Sequence, residues 1–444
     1  MSPRSKIPVV HPFPAVNLAA IPMKNFALLL SAGLLSLIIA PELPASDWPQ
    51  WRGPTRTGHA LMTESIARLP KELTPLWRIT VGAGHSGPVV SGRVLVYLDE
   101  DGAREVAHAI DTATGRELWK ADYAERAKDE WGAGPRATPL IDGDRVYVQA
   151  MNGEFRCLNL KDGSVRWQTS YGADFGAKFM GMAAGEGNGT ATRRGNSGSG
   201  VIDGSRIILP VGGTKGSSLV CFDKLSGKVL WKSGNDEAAY SSFMVSTIAG
   251  VRQVVALTAE ALLGAKVETG EILWRVPLKT AAKRHAASPV IIDDQVVVNS
   301  HTFGTRSFRI EKDTGGIKAA EAWANAALKI NLASLVHLNG HLYGQGAAKD
   351  FVCVDAATGE LKWSQAGFGL GKKDYASTIA VGDKLLALTE DGTLLLVAAN
   401  SAKYTELGRV QVCGSTWSFP ALADGRLYVR DGRTLQCLEL SAGR

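Results

Sequence analysis

The sequence predicts an all-β fold, an eight-bladed β-propeller of four-stranded antiparallel blades. Two observations lead to this prediction. A phrase in which Gly precedes Trp by four residues recurs at a period of roughly 40 residues, and hairpin signals recur between short apolar stretches. The phrase ends at five tryptophans, namely Trp119, Trp167, Trp231, Trp274 and Trp363. Repetition at this period indicates radial copies of one supersecondary unit, so function should reside where the copies differ.

One unit is seen most clearly in residues 135–170. Four apolar or alternating stretches are separated there by Asp142-Gly143, Asn152-Gly153 and Asp162-Gly163. Such pairs favour two-residue hairpins, whose central residues need positive φ. Four antiparallel strands with no helical stretch between them are typical of a propeller blade.

The first hairpin of the unit can be counted along the chain, and it occurs eight times. Its positions are Ser91-Gly92, Asp142-Gly143, Asp203-Gly204, Gly250, Asp293-Asp294, Asn339-Gly340, Gly382-Asp383 and Asp424-Gly425. The outer-strand anchors give the same count: Trp77, Trp119, Trp167, Trp231, Trp274, Trp323, Trp363 and a degenerate Leu407. Each Trp is expected to pack between neighbouring blades.

The two ends of the repeat predict how the ring closes. A strand at residues 75–80 precedes the first complete unit, and the last unit, residues 416–440, has only three strands. The N-terminal strand should complete the last blade and remove its exposed edge. We therefore predict an export signal region at residues 1–46, an N-terminal extension at 47–72 and the propeller at 73–440.

The N-terminal region predicts export. Lys24 precedes an apolar run at residues 26–40, and Ala45 and Ser46 offer a cleavage site. We expect a periplasmic or secreted monomer with no stable membrane span after cleavage, the alternative being an uncleaved anchor. Translation starting at Met1 or at Met23 remains open.

Composition excludes some partners. The chain has a formal net charge of +6 and 45% hydrophobic residues, but no Lys/Arg cluster with interleaved aromatics, so nucleic acid is not an expected partner. Cys157, Cys221, Cys353 and Cys437 occupy equivalent places in different repeats. Such positions should be far apart, so we expect buried unpaired thiols.

The repeated phrase carries a family resemblance. Ala-Ile-Asp-Thr-Ala-Thr-Gly-Arg-Glu-Leu-Trp, ending at Trp119, and Cys-Val-Asp-Ala-Ala-Thr-Gly-Glu-Leu-Lys-Trp, ending at Trp363, resemble the tryptophan-docking motif of PQQ-like β-propellers. That superfamily includes quinoprotein alcohol and glucose dehydrogenases and the non-enzymatic outer-membrane assembly lipoprotein BamB. The sequence also looks like the start of proteins from a secreted bacterial branch of this superfamily, at Asp47-Trp48-Pro49-Gln50-Trp51-Arg52-Gly53-Pro54. The resemblance covers residues 73–440 and is specific for fold rather than function.

The sequence departs from both functional patterns. The dehydrogenases carry a vicinal disulfide over the cofactor and hold calcium with a Glu and an Asn, whereas no two cysteines are adjacent here. PQQ and calcium are therefore possible cofactors that the cysteine pattern does not support. A lipoprotein needs Cys directly after its signal, and the first Cys is Cys157.

The channel mouth is the predicted ligand site. Superposing the repeats on the first hairpin places one residue per blade where the innermost strands begin. These residues vary between blades, and the set chosen for a ligand site is His85, Arg136, Tyr240, His285, Tyr375 and Trp417. Aromatic, imidazole and guanidinium groups suit an anionic or aromatic ligand; the alternative is that they only plug the channel.

Two insertions and one histidine pair complete the candidates. Residues 121–135 predict a short exposed helix that carries Trp131 towards the mouth. The Gly-rich residues 170–198 predict either a lid or a disordered segment. His337 and His341 flank a two-residue turn in which Leu338 opposes His341, so metal binding by this pair is not expected.

The leading functional prediction is a BamB-like scaffold that binds envelope protein or peptide through blade edges and mouth loops. One alternative is a PQQ-dependent dehydrogenase with its cofactor in the channel. The other is a carbohydrate-binding accessory protein, for which coplanar mouth aromatics would serve as platforms.

Overall fold

Eight four-stranded antiparallel sheets form the predicted propeller in the computed structural model, which describes residues 47–61, 66–129, 131–178, 195–280, 283, 285–368 and 375–440. The predicted export signal at 1–46 and residues 179–194 of the Gly-rich insertion lie outside the described residues. In chain order the first half comprises β1 (Trp77–Thr80); blade 1, β2 (Val89–Ser91), β3 (Val94–Asp101), β4 (Arg104–Asp111) and β5 (Glu117–Glu125); a ribbon, β6 (Lys128–Asp129) and β7 (Gly132–Ala133); blade 2, β8 (Leu140–Asp142), β9 (Arg145–Gln149), β10 (Glu154–Asn159) and β11 (Val165–Ser170); α1 (Tyr171–Phe175); blade 3, β12 (Val201–Asp203), β13 (Arg206–Leu209), β14 (Leu219–Asp223) and β15 (Val229–Ser233); and blade 4, β16 (Met244–Ile248), β17 (Val251–Leu257), β18 (Ala261–Lys266) and β19 (Ile272–Pro277).

The second half of the chain repeats the same unit and closes the ring. It comprises blade 5, β20 (Val290–Ile292), β21 (Gln295–Ser300), β22 (Gly304–Asp313) and β23 (Gly316–Asn325); blade 6, β24 (Val336–Leu338), β25 (His341–Gln345), β26 (Phe351–Asp355) and β27 (Leu361–Gln365); blade 7, β28 (Ala376–Val381), β29 (Lys384–Thr389), β30 (Thr393–Ala398) and β31 (Glu406–Gln411); and blade 8, β32 (Ala421–Ala423), β33 (Arg426–Arg430) and β34 (Thr434–Glu439). The N-terminal β1 pairs with β34 as the fourth strand of blade 8, which confirms the predicted closure. The helix α1 has five residues. Within the residues that the structure describes, no helix is long and apolar enough to cross a membrane.

The first hairpin of each blade is a two-residue loop. In blades 1–3 the loop starts at Gly92, Gly143 or Gly204, one residue later than the pattern predicts. These glycines have φ between 54° and 58°, so each takes the first central position, as a type II′ turn requires. Blade 6 instead has positive φ at both Asn339 and Gly340, as in a type I′ turn.

The tryptophans join successive blades through a repeated dock. The Trp167 ring of blade 2 lies against Gly227 of blade 3, where an added Cβ would be 2.6 Å from the ring, and its Nε1–H donates to Lys224 O at 3.0 Å. The same arrangement links Trp77 to Gly115, Trp119 to Gly163, Trp231 to Gly270 and Trp323 to Gly359. Glycine at this place allows the indole to lie flat on the backbone.

Three docks depart from the repeat. Trp363 donates from Nε1 to Asn400 O of blade 7 at 2.8 Å, but Lys403 stands where the regular docks have Gly. Trp274 packs in the core between blades 4 and 5, but its Nε1–H donates to Gln253 of its own blade at 2.7 Å. In blade 7 the register places Gly408, not Leu407, at the tryptophan position, because Leu407 falls in the β-bulge between Glu406 and Gly408. Leu69 of the N-terminal extension is buried against Gly408 and takes up this space. The prediction that Leu407 is the anchor of blade 7 is therefore wrong.

The cysteines have the placement expected of small buried residues. Cys157, Cys221, Cys353 and Cys437 are buried with free thiols, and each lies directly opposite a docking Trp on the neighbouring outer strand. Burial raises the pKa of each of these thiols, which disfavours the reactive thiolate. They contribute packing to the blades.

Candidate functional site

An N-terminal stretch, residues 47–60, occupies the axis of the ring, and we call it the axial segment. The first strands of successive blades contact one another and so line the axis. Trp48 exchanges two backbone hydrogen bonds of 2.9 Å with Val90 of blade 1, and Pro49 O accepts from Ile141 N of blade 2 at 2.8 Å. Two blades from blade 1 in the other direction around the ring, Ala380 N of blade 7 donates to Gly58 O at 2.7 Å.

Two buried arginines extend the axial segment to three more blades. Arg56 donates to Phe243 O of blade 4 at 3.0 Å and to Ser199 O of blade 3 at 3.3 Å, whereas Arg52 donates to Leu335 O of blade 6 at 2.6 Å. Burial lowers the pKa of both guanidiniums. Both also lie over the Trp51 ring, at 5.4 and 5.9 Å from its centroid. The segment therefore bonds to six of the eight blades.

A set of hydroxyl side chains, which sequence reasoning missed, joins the inner strands beside these arginines. Ser199, Ser242, Ser288 and Ser334 each lie two residues before the inner strand of blades 3 to 6. The backbone N–H of each of the first three donates to the hydroxyl of the next, at 2.9 to 3.0 Å. We call this the serine ladder. Its signal, a Ser two residues before the start of each of these inner strands, is present in the sequence.

Three of the six predicted mouth residues converge where blades 8, 1 and 2 meet. The rings of His85 and Trp417 lie 5.3 Å apart, and Trp417 also lies 5.9 Å from Trp131. His85 Nε2 donates to Trp131 O at 3.2 Å, and burial lowers the pKa of His85. Arg136 forms a two-point ion pair with Asp129, with Nη1 2.9 Å from Oδ2. Its positive charge is therefore already neutralised within the protein.

The predicted exposed helix at residues 121–135 is wrong. Residues 117–125 continue as β5, with Arg104 opposite Glu125, because Tyr123 and Ala124 are buried against the blade. The chain then turns through the β6–β7 ribbon, where Gly132 has a φ of 118°. This ribbon, rather than a helix, brings Trp131 to the mouth. Trp131 and Trp417 are inclined by 44° and are not coplanar.

The other three predicted residues are held by different partners. The Tyr375 hydroxyl lies 2.9 Å from Ser377 Oγ, and burial raises the pKa of Tyr375 to about 12. Tyr375 is linked to Trp417 through the buried Glu390, whose N–H donates to Tyr375 O and whose Oε1 accepts from Trp417 Nε1 at 3.2 Å. Tyr240 donates its backbone N–H to His285 O. The His285 ring is buried, with Nε2 bonded to Leu278 O and its pKa lowered by burial.

A buried carboxyl group lies below the mouth ribbon, and sequence reasoning also missed it. Glu105 has no exposed surface, and its Oε2 accepts from the Tyr123 hydroxyl at 3.1 Å and from Met151 N at 3.2 Å. Burial raises the pKa of Glu105 to about 7 in spite of these hydrogen bonds. This carboxyl group gains and loses its proton near neutral pH.

The outer surface of the ring carries a second candidate feature. In seven blades the residue just before the β-bulge of the outer strand has an equivalent register, and we call it the rim position. In blades 1, 5 and 7 it is Glu117, Glu321 or Glu406, each paired with a cationic side chain or histidine. In blades 2, 3, 4 and 6 it is apolar: Val165, Val229, Ile272 and Leu361. These four side chains are between 38% and 47% exposed.

Comparison with known proteins supports the fold and the family. The sequence profile of the family described as "Outer membrane protein assembly factor BamB" matches residues 64–177 and 181–319, more than half of the chain. The curated Escherichia coli (strain K12) protein of that name is 29% identical over 106 residues, which are 22% of this chain and 26% of the relative. The matched stretch thus spans about a quarter of that relative.

Solved structures show the same architecture. BamB from Moraxella catarrhalis superposes with a TM-score of 0.57 at 14% identity, over 84% of this chain and 99% of that one. A quinohemoprotein alcohol dehydrogenase, ADHIIG from Pseudomonas putida HK5, gives 0.60 at 11% identity, over 90% and 81%. Identities this low establish the fold alone. The sequence match across more than half of the chain shows that the protein belongs to the family described as outer membrane protein assembly factor BamB.

Proposed function

We propose that this chain is an exported interaction scaffold that binds another envelope protein through its outer rim. The rim position is the observation that carries the proposal, because blades 2, 3 and 4 are consecutive and all three expose an apolar side chain there. Apolar side chains exposed along one part of a protein surface mark interaction sites. The relatives are named for outer-membrane protein assembly, and a periplasmic location would suit that role.

The glutamates at the same position in other blades strengthen the proposal. Glu117 is bonded to His108 at 2.9 Å, and Glu406 lies 2.6 Å from Arg409. A charged residue is thus compatible with the outer-strand geometry, so the fold does not require Val165, Val229 or Ile272 to be apolar. Edge strands ordinarily carry charges that prevent association. An apolar rim on three neighbouring blades is the arrangement expected on a surface that binds another protein.

The dehydrogenase alternative has less support. A quinone and calcium in the channel would compete with the axial segment, which occupies the axis through Arg52, Arg56 and Trp51. At the mouth, Arg136 of the predicted cradle is neutralised by Asp129. The predicted mouth site for an anionic or aromatic ligand remains a prediction, and the 44° inclination of Trp131 to Trp417 does not match a flat sugar platform.

The test uses the purified full chain as bait. Wild-type protein, the variant Val165→Glu/Val229→Glu/Ile272→Glu and the control Leu361→Glu are cross-linked in an envelope fraction of the source cells, and captured proteins are quantified. The control places the same residue at the equivalent position of blade 6. We expect the triple variant to lose a partner that the control retains. Identical capture by all three proteins contradicts the proposal.

A second measurement addresses the alternative directly. The same protein is titrated with PQQ in the presence and absence of calcium, using calorimetry and absorbance. The scaffold proposal predicts no calcium-dependent binding. Micromolar, calcium-dependent binding would favour the dehydrogenase instead and would displace the proposal.

A further inference from the structure

The outer hairpin of blade 3 differs from those of the other blades in its exposed side chains. It consists of β14 and β15, and β15 pairs with β14 alone among the described strands. Leu225, Val229 and Leu230 are all exposed on this hairpin. An outermost strand presents unpaired N–H and C=O groups along its free edge, so apolar side chains beside that edge make it a template for another strand.

The charges around this edge have one sign. Lys228 and Lys232 flank Val229 and Leu230, and both lysines are exposed. The hairpin has a single acidic residue, Asp223, and its Oδ1 already accepts from the Ser226 N–H and hydroxyl at 2.8 and 2.7 Å. The free edge of β15 is therefore apolar and basic.

Blades 1 and 5 present a different edge. The outer strand of blade 5, β23, carries Glu321 in an ion pair with Arg306, and Lys318 pairs with Asp313. In blade 1, Lys120 of the outer strand pairs with Asp101 at the end of β3. Charges of both signs beside these edges oppose the addition of a further strand of either charge. The edge of β15 differs from the edges of blades 1 and 5 because its lysines outnumber its acidic residues and because it exposes three apolar side chains.

We propose that the free edge of β15 binds an extended segment of another protein that is rich in acidic and aliphatic side chains. The segment would add a fifth strand to blade 3 through backbone hydrogen bonds, its aliphatic side chains covering Val229 and Leu225. The bulge at Leu230 places Lys232 on the face of Val229 and Lys228 on the opposite face, so carboxylates on either face of the added segment would meet a lysine. Opposite charges on neighbouring strands stabilise pairing. This inference rests on the proposed function and names the chemistry of the partner.

A second copy of this chain fits the edge less well. Pairing β15 with itself would bring the lysines of both copies together, and like charges on neighbouring strands are destabilising. The same lysines would repel a basic segment. Charge complementarity therefore selects an acidic partner.

The experiment measures binding of synthetic peptides to the purified full chain by fluorescence anisotropy. The probe is a labelled octapeptide of alternating Val and Glu, compared with a Val/Lys octapeptide and with a Val/Glu octapeptide N-methylated at alternate residues. We expect the Val/Glu peptide to bind about tenfold more tightly than the Val/Lys peptide. N-methylation should abolish binding, because it removes the donors needed for strand addition while keeping the side chains.

Variants of the protein locate the peptide. Lys228→Glu/Lys232→Glu should reverse the preference in favour of the Val/Lys peptide. The matched control is Lys362→Glu, on the outer strand of blade 6, and it should leave the preference unchanged. Equal binding of the acidic and basic peptides, or full binding of the N-methylated peptide, would overturn the proposal.

Two further outcomes separate this inference from the proposed function. If the triple rim variant loses its envelope partner while the peptides fail to discriminate, the scaffold stands and the acidic-strand assignment falls. If sedimentation shows a dimer that Val229→Glu dissociates, the occupant is a second copy and the assignment also falls.

Discussion

The outer layer and the axis of this ring are stabilised in different ways. In the outer layer the same contact recurs from blade to blade, as when Trp167 lies on Gly227 and Trp119 on Gly163. On the axis a single non-repeating segment bonds to six blades, with Arg56 alone reaching two of them. A repeated contact distributes stability among neighbours, whereas the axial segment concentrates it in a few residues. Damage to the two layers should therefore differ in how far it spreads.

The largest expected effect comes from removing one tryptophan from each layer. Trp48→Ala and Trp167→Ala should each lower the free energy of unfolding by about 3–5 kcal/mol, because both rings are buried. Urea unfolding followed by circular dichroism measures the loss. Trp363→Ala is the control, since its half-buried ring should give a smaller loss.

Proteolysis distinguishes the two variants. Trp48→Ala loosens the axial segment, so trypsin should cleave after Arg52 and Arg56, which are buried in the wild type. Trp167→Ala leaves the axial segment in place, so both sites should stay protected from trypsin. Equal cleavage in both variants would mean that the layers are not independent.

A glycine pair tests the dock alone. Gly227 and Gly143 have φ of 72° and 58°, but an added Cβ meets the Trp167 ring at 2.6 Å only in the first case. A Cβ added at Gly143 would meet no described heavy atom within 4 Å. Gly227→Ala should cost about 3–4 kcal/mol, from backbone strain and displacement of the indole. Gly143→Ala should cost about 1 kcal/mol, from strain alone. Similar losses in urea unfolding would argue against the dock.

The same contrast explains what the sequence could predict. Five of the docks are encoded locally, because the Gly that receives the ring stands four residues before the next Trp, so fold, blade number and ring closure follow from the pattern. The axial contacts are not encoded this way. Arg52 meets Leu335 across 283 positions of sequence, and Arg56 meets Phe243 across 187. No periodicity carries such information.

The mouth was predictable in position but not in chemistry. Superposing the repeats places His85 and Trp417 at the same level, and closure of the ring makes blades 1 and 8 neighbours, so their contact follows. Whether a side chain is available depends on partners from outside the repeat. Asp129 comes from the ribbon and neutralises Arg136, and Leu278 O holds the His285 ring. The serine ladder has a repeated signal in the sequence, but a criterion that selects residues varying between blades does not reveal it.

Glu105 provides a pH test of the region below the mouth. Its pKa in the folded state is raised to about 7 from the ordinary value of 4.5, mainly by burial, so the folded protein holds this proton more tightly than the unfolded chain. Stability should therefore fall as pH rises from 4.5 to 7, by at most about 3 kcal/mol. Glu105→Gln keeps an oxygen acceptor for Met151 N and removes the charge.

Urea midpoints measured from pH 4.5 to 8 check this expectation. Glu105→Gln should match the wild type at the acidic end and be the more stable protein at pH 8. A variant less stable than the wild type at pH 8 would show that the ionised carboxylate is favourable where it is.

The smallest expected effect belongs to His108, on the outer side of blade 1. Burial alone would lower its pKa, but hydrogen bonds and charges from Asp99 and Glu117, at 3.1 and 2.9 Å, outweigh burial and raise it above 6.5. The folded state thus favours the protonated ring. Its contribution is complete below pH 6.5 and is lost as pH rises through the folded pKa, so the loss begins near the upper end of the Glu105 window, which runs from pH 4.5 to about 7.

The two windows can be separated with two further variants. His108→Gln should flatten the dependence of the urea midpoint on pH above 6.5 while leaving the fall between pH 4.5 and 6.5 in place. Glu117→Gln removes the more exposed of the two carboxylates and should reduce the upper slope only in part. If His108→Gln instead removed the lower slope, the proton taken up near neutral pH would belong to His108 and its two carboxylate partners. The mouth would then no longer be the pH-sensitive part of the ring.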